Sequence, residues 1–202
     1  MYSVLTLNLA EAKALNLIAD EERFFAWLAA QSEFALEKDR AGNLLFMTPT
    51  HSNAGKVNGE IVAQLAFWNK QYRLGVVFDS STGFRLPNGA IRSPDAAWIR
   101  KERWNALSPA EKNTFAPLCP DFVVELRSPY QPLHTLHEKM QEYRENGALL
   151  GWLFDLESHT IYIYEPHQPV QQRQGFTGRL SAEPHLPGFE LDLDELKSLL
   201  EE

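Results

Sequence analysis

Two carboxylates set in otherwise apolar strands are the residues best suited to chemistry in this 202-residue chain. In the segment Phe122–Arg127, alternation places Phe122, Val124 and Leu126 on one face and Val123, Glu125 and Arg127 on the other. A carboxylate on such a strand cannot be buried unpaired without a large penalty, so Glu125 needs a partner. Arg127, a metal ion or a neighbouring carboxylate could each serve. The second acid is Asp95, within Ile91–Ile99, where aspartate is unfavourable in a strand interior and therefore calls for a reason. One reason is that Ser93-Pro94-Asp95 kinks an edge strand. The other is ligation: if the two strands are neighbours, Asp95 and Glu125 can hold one divalent cation. The Leu126 carbonyl would then complete a hard oxygen shell suited to Mg or Mn.

Two further side chains gain meaning only beside that pair. On the helix that follows the Glu125 strand, Leu133, Leu136, Met140 and Tyr143 form one stripe, and Lys139 lies roughly 80° from its centre. It is either a solvated surface lysine or one that buries its stem and presents its ammonium to the strand end. Glu60, flanking the apolar face of an earlier helix, is likewise solvent-facing or turned toward Asp95. Other signals carry less. His134 and His137 are spaced to share a helix face but lack a third ligand, and no HExxH, phosphate-loop or GxSxG motif occurs. Trp152, Tyr162 and Tyr164 read as core or face aromatics. Asp121 precedes Glu125 on the same strand, so it would spread along that strand, which makes Asp95 the better ligand.

The elements that must position these residues follow from periodicity. A helix is expected over Glu21–Gln31, then a hairpin about Asp39–Gly42, then a long helix over Thr50–Arg73 with Val57, Ile61, Leu65 and Trp68 at helical spacing and Gly75 at its end. Val76–Leu86 and Ala90–Arg100 read as strands around the hairpin signal Asn88-Gly89. Lys101–Thr114 is a polar stretch with helical character, where Ser108-Pro109-Ala110-Glu111 marks a helix start. The Glu125 strand, the helix Leu133–Asn146 and the strands Leu149–Leu156 and Thr160–Glu165 come next. A short strand near Phe189 and an acidic helix from Asp192 close the chain. This order describes an α/β sandwich with a mixed sheet.

Composition is that of a folded domain, 44% hydrophobic and 23% charged, and the expected organisation is an N-terminal extension over 1–20 followed by one domain over 21–202. A single cysteine, Cys119, excludes an internal disulfide and CxxC chemistry and fits a reducing cytoplasm. The first twenty residues lack the pattern of a secretory signal, and no window has the apolar length of a membrane span. With 19 Lys and Arg against 27 Asp and Glu, the net charge of -8 has the wrong sign for affinity resting on bulk charge. Any nucleic-acid contact must therefore come from a local basic cleft or from a metal that offsets phosphate repulsion.

Several spaced motifs agree in order with one family: Arg92-Ser-Pro-Asp-Ala-Ala-Trp98, Pro120–Pro129, Lys139-Met-x-Glu-Tyr143, Asn146-Gly-Ala and Gly151-Trp-Leu-Phe-Asp155. Together with Leu45–Thr50 and Leu186-Pro-Gly-Phe189, they make the chain from about Phe24 to Leu196 resemble the Uma family of restriction endonuclease-like proteins. That bacterial group is abundant in cyanobacteria and lies within the PD-(D/E)XK nuclease superfamily. The resemblance implies a restriction-endonuclease-like core, a mixed central sheet flanked by helices, with extra N- and C-terminal strands. It also implies a Mg-dependent endonuclease acting on nucleic acid, with DNA as the expected substrate and Mn as a possible substitute. Asp95 and Glu125 match the metal-binding acids, and Glu60 matches an acid on the first core helix. The superfamily's lysine position two residues after the glutamate holds Arg127, while Lys139 matches a lysine that has moved to the following helix. Arg127 could grip a phosphate oxygen through a bidentate contact. Tyr130-Gln131 stands where the family often has Ser-Asp. With no recognition domain in view, a homodimer is the expected assembly. The rival reading is a nuclease-fold module that binds nucleic acid or a protein without turnover.

Overall fold

Period-two runs and one long helical period become, in a computed structural model, two large sheets that share a chain crossing and a third of two strands. The structure describes residues 6–8, 13–14, 20, 23–25, 27–28, 35–47, 50–129 and 131–201. The helical residues at 23–25 and 27–28 fall in the helix expected over Glu21–Gln31, whose other residues lie outside the described ones, as does most of the segment 1–20. Strands β1 (Thr6–Asn8), β2 (Ala35–Lys38) and β3 (Asn43–Met47) precede the long helix α1 (Ser52–Tyr72). Then come β4 (Gly75–Asp79), β5 (Phe84–Arg85), β6 (Ile91–Arg92), β7 (Ala96–Arg100), and the short helices α2 (Lys101–Ala106) and α3 (Pro109–Lys112). Strand β8 (Phe122–Arg127), helix α4 (Leu133–Glu145), β9 (Leu150–Asp155) and β10 (Thr160–Tyr164) follow. The chain closes with β11 (Gln171–Gln174), β12 (Arg179–Ser181), β13 (Glu190–Asp192) and α5 (Leu193–Glu201).

The main sheet runs β11-β10-β9-β8-β7-β4, with β8 and β9 parallel and the other pairs antiparallel. The parallel pair needs a crossover, and α4 supplies it. The architecture is α/β, a mixed central sheet flanked by helices. One face carries Ala96, Phe122, Val124, Trp152 and Phe154 against Val57, Ile61, Leu65 and Trp68 of α1. The other carries Ala97, Val123 and Leu153 against Leu136, Met140 and Tyr143 of α4. Alternation along β7 and β8 thus assigns Glu125 to the α4 face.

Two expected strands are each divided. Asp79 accepts hydrogen bonds from the Ser81 amide at 3.0 Å and the Ser81 hydroxyl at 2.6 Å, and the turn so made separates β4 from β5. Ser93-Pro94 separates β6 from β7, because proline has no N–H to continue a ladder. The two halves join different sheets: β6 pairs with β2 and β5 in the second sheet, ordered β1-β3-β2-β6-β5, whereas β7 lies between β4 and β8. Asp95 therefore stands where the chain crosses from one sheet to the other, and not on an edge strand. The α1 helix ends on Arg73, whose φ of 54° makes the left-handed cap expected of Gly75. Gly75 is glycine for a different reason: a Cβ there would lie 2.3 Å from the Ile99 carbonyl oxygen and 2.4 Å from the Trp98 ring. Strands β11 and β12, rich in exposed polar residues, have no apolar alternation to announce them.

Candidate active site

The β7–β8 register brings the two acids together. Ala96 pairs with Val124, and one step beyond that pair the Asp95 carboxylate replaces the ladder: its Oδ2 accepts from the Leu126 amide at 2.7 Å. Glu125, 4% exposed, projects from the neighbouring strand on the α4 face. Its Oε1 accepts from the Tyr143 hydroxyl at 3.0 Å and meets the Lys139 Nζ at 2.7 Å. Lys139 is buried, so the surface alternative falls away. Burial explains why a lysine between two glutamates on α4 points inward: a second buried carboxylate, Glu37 of β2, lies 2.8 Å from the same Nζ. Glu37 also accepts from the Ser93 amide at 2.8 Å and meets Arg92 at 3.1 Å, and Arg92 in turn bonds Glu142 at 2.5 Å.

The electrostatics follow from counting charges. Glu37, Asp95, Glu125 and Glu142 surround Lys139 and Arg92, so the full set carries two more carboxyls than cations. Burial raises Glu125, Lys139 offsets part of that, and the neighbouring Asp95 and Glu37 charges add to it, pushing the carboxyl up to about 8. Burial raises Asp95 as well, against the Leu126 hydrogen bond. Glu37 goes the other way: burial opposes its charge, but Lys139 and Arg92 hold it below the usual carboxylate range. Burial opposes the Lys139 charge too, and Glu125 and Glu37 outweigh it and raise its ammonium.

A carboxyl that titrates near 8 when folded and near 4.5 when unfolded keeps a proton in the native state that the unfolded chain releases. Between those values rising pH therefore destabilises the fold, by on the order of 1 kcal/mol per pH unit. Glu125→Gln removes that slope. In metal-free buffer, the melting temperature of the variant relative to the parent should climb steadily from pH 5 to pH 8, and a difference independent of pH would show that Glu125 is ionised throughout.

The remaining expected residues lie elsewhere. Arg127 shares the Glu125 face, but its NH1 bonds Asp155 at 2.8 Å and lies 3.4 Å from Glu157, while its Nε donates to the Gln131 carbonyl at 3.0 Å. It clasps the ends of β8 and β9 to the turn leading into α4. Glu60 is on α1, across the sheet from Glu125; it accepts from Gln64 at 2.9 Å and lines a groove of about 520 Å³ with Trp68, Tyr72 and Phe189. His137 bonds the Tyr164 hydroxyl and stacks edge-on to Tyr162, and His134 is exposed. Asp121 is tied to the Arg100 amide at 2.9 Å and to Arg103 at 3.0 Å. Glu37, Arg92, Glu142 and Tyr143 are the members the sequence reading missed. Three of them stood inside the quoted motifs Arg92–Trp98 and Lys139–Tyr143; Glu37 carried no comparable signal.

Comparison with known proteins gives the family and the fold. The Uma2 family model, described as "Putative restriction endonuclease", matches residues 21–194. The chain belongs to the Uma2 family. A solved structure, the "putative nuclease belonging to DUF820 from Anabaena variabilis ATCC 29413", superposes with a TM-score of 0.71 at 19% identity, over 84% of this chain and 93% of that one. This Uma2 chain thus has the fold of that protein. No curated protein matches it.

Uma2 membership brings a divalent cation into question, and the donor set fits one. Two carboxylates lie at adjacent strand ends in a site whose carboxyls exceed its cations by two, a surplus that two protons or one divalent ion would neutralise. Among the described residues no group of three or more His, Cys, Asp or Glu side chains stands ready as a metal cage. Asp95 and Glu125 with water, carbonyl or phosphate oxygens would make the partial shell that Mg tolerates. Among the described residues no helix is long and apolar enough to cross a membrane.

Proposed function

We propose that this Uma2 protein is a nuclease that hydrolyses phosphodiester bonds with the help of Mg, or of Mn in its place, and that DNA is its substrate. The observation that carries the reading is the buried Lys139 ammonium at the meeting point of acids from two sheets, beside the Asp95–Glu125 pair. Asp95 and Glu125 would hold the cation, with the Leu126 carbonyl as a further oxygen donor. A cation so bound would polarise a phosphoryl oxygen and lower the pKa of a water molecule.

The chain's own residues do the rest. Asp95 is fixed by the Leu126 amide and Glu125 by the Tyr143 hydroxyl, so both carboxylates are aimed before substrate arrives. Lys139, charged and buried, stabilises the negative charge that develops on the phosphate oxygens. Arg127, through Gln131, steadies the turn from which α4 carries Lys139 into the site. A homodimer would let two such sites act on the two strands of a duplex.

The test is cleavage of plasmid DNA and of a long RNA by the wild type and Glu125→Gln, each with Mg, Mn or EDTA. Nicked or linear DNA that requires the ion and is absent from the variant is expected. Salt-sensitive DNA binding without any ion-dependent product would contradict the proposal and mark a binding module.

A further inference from the structure

Lys139 stands between two carboxylates at nearly equal distance, 2.8 Å from Glu37 and 2.7 Å from Glu125. Their surroundings differ. Glu37, 2% exposed, is fully engaged: besides the lysine it accepts from the Ser93 amide at 2.8 Å and from Arg92 at 3.1 Å. Among the described residues Glu125 has only the Tyr143 hydroxyl besides the lysine. An ammonium and a divalent ion repel each other, so Glu125 cannot serve both at full strength. We infer that Glu37 is a positioning residue that retains the Lys139 ammonium at the site when Glu125 turns from the lysine to a cation.

The inference rests on the proposed cation site. It makes the N-terminal hairpin β2–β3 part of the reacting machinery through Glu37. Without the Glu37 charge the lysine's remaining carboxylate partner is Glu125 itself, and the ion must displace it. Substitution of Glu37 should therefore weaken cation binding only while Lys139 is present.

A double-mutant cycle reads this directly, by calorimetric titration of Mn into the wild type, Glu37→Gln, Lys139→Met and the double variant. Glutamine keeps an acceptor for the Ser93 amide, and circular dichroism checks each fold. Glu37→Gln should weaken Mn binding about tenfold in the parent and by less than about twofold when Lys139 is methionine. Equal losses in both backgrounds would mean that Glu37 acts as a ligand or through its field, and would overturn the inference, as would no loss in either. A wild type that takes no Mn overturns the cation site itself and the inference with it, whereas the other outcomes leave that site standing.

Discussion

Asp95→Asn should abolish ion-dependent cleavage, a loss on the order of 1000-fold, while leaving the fold intact. Asparagine keeps the oxygen that accepts from the Leu126 amide, so the β7–β8 junction survives, but it removes the charge that a cation needs. Asp95→Ala should cost stability as well, about 1–3 kcal/mol, because the Leu126 N–H then loses its acceptor. The contrast separates the two duties of Asp95. Equal urea midpoints for the two variants would show that the hydrogen bond holds nothing, and cleavage by Asp95→Asn at the parental rate would remove Asp95 from the chemistry. Rates from a plasmid-nicking assay and urea midpoints supply both readings.

Lys139→Ala has the other large expected effect. Among the described residues it leaves Glu125 with a hydroxyl as its polar partner and deprives Glu37 of one of its two cations, with both carboxylates almost closed to solvent. Removing one partner of a buried pair costs about 3–5 kcal/mol. Below about pH 8 Glu125 keeps its proton in the parent and, without the ammonium that lowers it, in the variant too, so the penalty should stay level up to pH 8 and grow above it, where the parent alone ionises. Lys139→Met refills the volume and should recover some stability but no cleavage. Urea unfolding of both variants at pH 7 and pH 9 measures this. A lysine variant as stable as the parent at pH 9 would mean that the ammonium balances no buried charge.

The site was legible where its geometry is local. Alternation places Glu125 on its face, the aspartate in an apolar stretch marks Asp95, and helical phase sets Lys139 beside the buried stripe. What escaped depends on contacts between distant segments. Glu37 sits in a short hairpin whose pattern shows which residues alternate, but not that its second face is covered by α4 and the crossing at Ser93. The Arg127–Asp155 pair arises from the in-register parallel pairing of β8 with β9. Glu60 flanks the apolar stripe of α1 as expected, yet phase alone does not say which face of the sheet the helix covers, and α1 covers the one opposite Glu125. The divided strands have the same origin: Pro94 announces a kink as one alternative, and only the pairing of the two halves makes it a passage between sheets.

Thermal unfolding of the wild type and Asp95→Asn, each in EDTA and in excess Mn at pH 8, tests the cation site most directly, since an ion that binds only the native state must stabilise it. A rise of about 5 °C for the wild type at 100 times the dissociation constant, absent from Asp95→Asn, is the expected result. The same rise in both proteins, or none in the wild type, would contradict a cation held by Asp95 and Glu125.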